Sequence, residues 1–126
     1  MARGSISSVM LVLLLGVICT APSVVRGDGQ EWVVGDKMGW RFGVTSWVKD
    51  KPIHAGDVLV FNYDPTAHDV VEVDEDAYNT CMMPIGGGTP HTSGNDRVVV
   101  PAGKSFFVCS MPGHCANGMK IALSTK

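Results

Sequence analysis

From residue 31 to residue 123 the chain is cut into short runs of β-branched and aromatic residues, and turn formers separate them at close intervals. The runs are 57–63, 69–73, 97–100, 105–109 and 120–123, with 31–34 and 45–48 of similar character. Gly35-Asp36, Ala55-Gly56-Asp57, Asp64-Pro65, Gly86-Gly87-Gly88-Thr89-Pro90 and Pro101-Ala102-Gly103 supply the reversals between them. Strands this short bury their apolar faces by stacking one sheet on another. The pattern therefore predicts an all-β fold, a Greek-key sandwich of about seven to eight strands. No sustained helical period competes with it, and residues 74–81 predict one short helix before Cys81.

Ahead of this pattern Arg3 precedes an apolar run of 11 residues, 9–19, which is followed by Thr20, Ala21, Pro22 and Ser23. A membrane span needs about 20 apolar residues, so the run suits the core of a secretory signal peptide. Cleavage after Ala21 or Gly27 fits the small residues there, and the expected division is a removed segment, 1–27, and a working domain, 28–126. The C-terminal stretch 120–126 lacks the apolar tail that a lipid-anchor signal requires. The expected product is a secreted, extracellular monomer without a membrane anchor.

Charge narrows the partners. The chain has 10 bases and 12 acids, and because Arg3 and Arg26 fall before residue 28, 8 bases face all 12 acids in the working domain, a net of −4. Such a surface has no basic field for phosphates, which excludes nucleic acid as the expected partner. Asp69, Glu72, Asp74, Glu75 and Asp76 read mostly as a solvated edge, with docking of a cationic partner as the functional alternative. Trp32, Trp40 and Trp47 read as packing residues. No Asn-x-Ser/Thr sequon occurs, so N-glycosylation is not expected.

Of the 4 cysteines, Cys19 leaves with the signal, and three cannot all pair in an oxidising compartment. Cys109 with Cys115 would close a tight loop across Pro112-Gly113. Cys81 with Cys109 would leave Cys115 beside His114, and Cys81 with Cys115 would leave Cys109 free. The residues around Cys109 favour a metal, because Cys109, His114 and Met119 stand at equal spacings of five with Pro112, Gly113 and Gly118 between them. Among the other histidines His68 is best placed, between the turn 64–66 and the run 69–73. His54 and His91 read as solvated loop residues. Two imidazoles, a thiolate and a long axial thioether make the donor set of blue-copper centres, whereas zinc prefers a water or a harder donor to methionine.

His68 followed by Cys109-x4-His114-x4-Met119 resembles the type 1 copper motif of the cupredoxins. Phe61-Asn62-Tyr63, Thr92-Ser93-Gly94, the stretch 107–121, Trp32-Val33-Val34-Gly35 and Gly39-Trp40 are similar to the plant phytocyanins, and within them to the plantacyanin branch. The resemblance covers residues 31–123. It implies one type 1 copper per chain held by His68, Cys109, His114 and Met119, and a disulfide between Cys81 and Cys115. Met119 separates the chain from the branch with Gln at that place. An acidic domain departs from a branch named for basicity.

The function expected from these residues is one-electron transfer in the apoplast or cell wall. The counterpart would be an unidentified extracellular redox partner or a small-molecule reductant. His114, Pro112 and Met111 form the expected electron port, because the Pro112-Gly113 turn should bring a ring edge to solvent. The alternative is extracellular signalling or adhesion, with the loop 85–91 binding a partner and copper incidental. Catalysis is not expected: all four donors are protein atoms, and a Cys109/His114 nucleophilic pair lacks an orienting group.

Overall fold

The computed structural model describes residues 29–85 and 87–126. The expected signal peptide, 1–27, lies outside the described residues. Among the described residues six strands form, β1 (Glu31–Val33), β2 (Val58–Asn62), β3 (Val71–Val73), β4 (Asn95–Val99), β5 (Gly103–Val108) and β6 (Lys120–Thr125). They make two three-stranded sheets, β1-β2-β4 and β3-β5-β6. β1 runs parallel to β2, and the other pairs are antiparallel. The chain changes sheet between β2 and β3, between β3 and β4, and between β4 and β5, so the two sheets are laced together rather than built in succession.

The expected β-sandwich is present, with six strands among the described residues in place of about seven to eight. The run 45–48 is the clearest difference, since Val44–Val48 is a 3-10 helix. Gly43 enters it in the left-handed region, φ 74°. Val44 drops into the core, and the Thr45 hydroxyl donates to the carbonyl of Gly118 at 3.0 Å instead of leaving the segment free to join a ladder. Its residues have strand propensity, but their partner is the loop between β5 and β6.

The short helix does form, α1 (Glu75–Thr80). Asp74 caps it by accepting from the Ala77 amide at 2.8 Å, and Glu75 and Asp76 in the first turn complement the helix dipole. It stops at Cys81, which takes φ 59° and donates its amide to the Ala77 carbonyl at 2.8 Å. That turn presents the Cys81 sulfur to Cys115, and the two are bridged. Among the described residues no helix is long and apolar enough to cross a membrane.

The core lies between the sheets. Leu59 and Phe61 of β2, Phe107 of β5 and Ile121 of β6 are fully buried, joined by Val34, Trp40, Val70 and Val100. Trp40 meets Phe61 edge-on at 5.0 Å, and Phe61 meets Phe107 at 5.5 Å, so one aromatic stack bridges the layers. Two fully buried residues of this core, Cys109 and Met119, are not ordinary filler.

Candidate metal centre

The register of β3-β5-β6 assembles the site. Val108 pairs with Val71 on one side and with Lys120 on the other, so the start of β3, the end of β5 and the start of β6 lie at one end of the sheet. His68 stands just before β3, Cys109 just after β5 and Met119 just before β6. The Cys109 amide donates to the Met119 carbonyl at 3.0 Å, fixing the last two together. His114 comes from the loop between β5 and β6. That loop is closed by its own hydrogen bonds, His114 N–H to Met111 C=O at 3.1 Å and Met119 N–H to His114 C=O at 3.0 Å. Gly118 completes it at φ 85°, where a Cβ would press to 3.2 Å on the Gly43 backbone.

The donor atoms converge. His68 Nδ1 and His114 Nδ1 are 3.1 Å apart, and Cys109 Sγ is 3.9 Å from the first and 3.4 Å from the second. Among the described residues this trio is the one group of histidine, cysteine or acidic side chains whose donor atoms all lie within 4.8 Å of one another. Lone pairs aimed at a common point without a strong proton donor among them fit a small cation. The two imidazole nitrogens, the sulfur and the fully buried thioether residue Met119 match the donor preferences of copper.

Electrostatics prepare two of the donors differently. Burial, and then the like charge of His114, hold the His68 imidazole below its ordinary value of 6.5, against the opposing pull of Asp64 and Asp69. Burial pushes the Cys109 thiol up, and the Asp69 carboxylate adds to that push, while the backbone amides of Asp69 and Met111 work against it. His68 is therefore ready as a neutral ligand, whereas Cys109 holds its proton until a cation displaces it.

Among the described residues Cys109 is the free thiol, since the bridge joins Cys81 to Cys115. Because Cys115 follows His114 directly, the disulfide ties the ligand loop to the end of α1. The other two histidines stay outside. The His54 side chain is 77% exposed beside Asp57. His91 is exposed too, while its main chain forms an isolated β-bridge with Val70. At the surface His114 is half-buried, Met111 is partly buried, and Pro112 and Gly113 are exposed.

Two residues at the centre were not singled out from sequence. Phe42 is 46% exposed, yet its ring stands edge-on over His114 at 4.7 Å and over His68 at 5.9 Å. Asp69, read as part of a solvated acidic edge, is instead 4% exposed. Its carboxylate accepts from the Ser110 amide at 2.7 Å and from the Ser110 hydroxyl, and its carbonyl accepts from Trp40 Nε1 at 2.9 Å. A polar residue directly after each of two donors, Asp69 after His68 and Ser110 after Cys109, was the available sequence sign.

Comparisons with known proteins agree with this geometry. Residues 32–119 match the family described as the plastocyanin-like domain. A basic blue protein of Arabidopsis thaliana is 40% identical over 126 residues, covering 97% of this chain and 95% of its own. A basic blue protein of Cucumis sativus is 47% identical over 93 residues, 74% of this chain and 96% of its own. The solved structure of cucumber basic protein, a blue copper protein, superposes with a TM-score of 0.73 at 46% identity, covering 76% of this chain and 99% of that one. Cucumber stellacyanin superposes at 0.69 with 25% identity, covering 76% and 94%. His68, Cys109, His114 and Met119 thus form a candidate type 1 copper site on a cupredoxin-like fold, and the chain belongs to the plant phytocyanins, copper proteins of the plastocyanin-like family, in their basic blue protein or plantacyanin branch.

Proposed function

We propose that the protein is a secreted one-electron carrier. The observation that carries this reading is the placing of all four donors on strand ends and a self-bonded loop, so that the frame is set by the fold and not by the metal. Copper bound there supplies a reversible Cu(II)/Cu(I) couple. The chain's part is to keep one geometry for both states. Cys109 and Met119 are locked to each other through the main chain, Asp69 and Ser110 join the segments behind His68 and Cys109, and Gly118 packs the loop onto Gly43.

Electrons pass at the rim. His114 reaches the surface between Met111 and the exposed Pro112, and Phe42 shields both imidazoles from water on the adjacent side. This small apolar rim suits close approach of an extracellular redox partner or a small-molecule reductant. The 11-residue apolar run near the N-terminus and the disulfide support export to an oxidising compartment.

Adding Cu(II) to apo protein should produce an intense visible band at one copper per chain. Ascorbate should bleach it with uptake of one electron, and ferricyanide should restore it. Cys109→Ser should abolish the band while His54→Ala and His91→Ala retain it. A colourless copper complex, or a band that cannot be cycled, would overturn electron transfer. Sequencing the N-terminus of material secreted by a eukaryotic host should place the first residue between Pro22 and Gln30, and recovery of intact Met1 in a membrane fraction would contradict export.

A further inference from the structure

The candidate type 1 site uses one thioether, and the chain brings others up to it. Of the 7 methionines, Met1 and Met10 lie in the expected signal peptide, Met38 belongs to the turn 36–38, and Met119 is the donor. Met82, Met83 and Met111 remain. Met83 and Met111 line one cavity of about 300 Å³ between the end of α1 and the ligand loop, and its wall also includes Cys109 and the Cys81–Cys115 bridge. Met83 borders a second cavity, of about 180 Å³, beside β3. Methionine in a core ordinarily fills gaps, but this one stands between two spaces that it leaves open. Met82, next to it in the chain, is 74% exposed and fills nothing. Among the described residues the larger cavity's lining holds no carboxylate and no imidazole. A hard cation finds no charged donor there, whereas thioethers favour Cu(I).

We propose that Met83 and Met111 form an entry site for the cuprous ion, which takes Cu(I) from a soft-ligand complex and hands it through the shared wall to Cys109. This rests on reading the centre as a type 1 copper site. Two thioethers alone hold Cu(I) weakly, which suits an ion in transit, and exposed Met82 gives the incoming complex a first soft contact. The transfer is a ligand exchange without change of oxidation state. Met83 and Met111 release the ion, the Cys109 sulfur, the two imidazoles and Met119 take it up, and the Cys109 proton passes to solvent. A thiolate and two imidazoles bind more strongly than two thioethers, so the exchange runs inward. The centre is thereby filled in its reduced state and turns blue only on later oxidation.

The entry site can be read while the type 1 centre is full. Reduced, copper-loaded protein with isotope-labelled methionine methyl groups should bind a second Cu(I), supplied without oxygen as its acetonitrile complex, and the methyl resonances of Met83 and Met111 should shift. Met83→Leu and Met111→Leu nearly conserve side-chain volume. Combined, they should weaken the second site about tenfold or more and slow filling of apo protein by Cu(I) to a similar degree. Filling by Cu(II), which draws on imidazole more than on thioether, should change less than about twofold. Shifts confined to Met38 and Met82, or equal Cu(I) filling in wild type and double variant, would overturn the entry site and leave the blue copper centre standing. If the double variant does not fold, the methyl shifts of the wild type decide. A wild type that stays colourless after Cu(I) filling and ferricyanide oxidation would instead bring down the copper reading, and the entry site with it.

Discussion

Each sheet of the sandwich holds a buried aspartate just before a strand, and the two do different work. Asp57 precedes β2 and accepts from Trp32 Nε1 at 2.9 Å, the His54 amide at 2.9 Å and the Gln30 amide at 3.1 Å. It gathers the start of β1 and the preceding turn onto β2, and none of its three donors belongs to a residue next to a metal donor. Asp69 precedes β3 and spends its two acceptor oxygens on Ser110, behind the ligand thiol. The same side chain joins strands and a turn in one sheet and, in the other, holds the residue next to a donor of the candidate copper site. Burial and satisfied hydrogen bonds alone do not tell these duties apart. What does is whether the residue bonded to the carboxylate is itself attached to a ligand.

The comparison extends to what holds each half. The sheet without donors relies on Asp57 and on the exposed Arg97–Glu31 pair between β4 and β1. The donor-bearing sheet relies on the disulfide, because the ligand loop has no strand partner and Cys115 ties it to α1. Replacing both Cys81 and Cys115 by alanine should therefore have the largest effect, about 4 kcal/mol from chain entropy for a bridge spanning 34 residues. Urea denaturation of wild-type and double-variant apo protein would measure it, and the variant should also release copper more readily. Loss of stability with copper affinity unchanged would mean that the ligand loop does not need its tie to α1.

Asp57→Ala should come next, at about 2–3 kcal/mol, because it strands three donors in a mostly buried place. Its visible band and potential should match the wild type. A moved band would break the division between the sheets, since it would carry a scaffold change into the ligand cage.

How much of this was legible in sequence follows the range of the interactions. Runs such as 57–63 and 105–109 announced strands because β propensity and turn punctuation are local. Three donors were legible because they lie within eleven consecutive residues, and His68 because a turn and a strand bracket it. Residues 45–48 misled because their fate is decided by a hydrogen bond from Thr45 to Gly118, 73 positions away. Asp69 misled for the same reason: four acids follow within seven residues, and only the pairing of β3 with β5 brings Ser110 over it. Phe42 gave no sign, because a lone aromatic in a glycine-flanked loop acquires its role only when both imidazoles arrive beneath it.

A smaller effect concerns pH in the apo protein. The folded His68 imidazole is held below 6.5, so the unfolded chain takes up the proton first as pH falls. The stability that His68 contributes is whole above the unfolded value and is lost as pH drops through it, until the folded group also protonates. Urea midpoints at pH 7.5 and 5.5 should differ more in wild type than in His68→Gln. Equal slopes would mean that His68 titrates alike in both states.

The smallest effect in stability belongs to the rim, where the comparison between scaffold and site reduces to one surface turn. Pro112 is exposed and next to Gly113, so Pro112→Glu has room to turn outward and should change stability by no more than about 0.5 kcal/mol. The donor atoms are set by strand ends and by hydrogen bonds that do not involve the Pro112 side chain, so the visible band should stay in place. A charged, hydrated side chain there would nonetheless hold a partner away from the His114 edge and make water harder to exclude. Electron exchange with protein and small-molecule partners, followed by stopped flow, should slow several-fold, while Met119→Gln should lower the potential through a harder donor without closing the rim. An unchanged exchange rate in Pro112→Glu would move the port away from this turn, toward the side that Phe42 covers, and Phe42→Ala would then be the variant in which the rate changes.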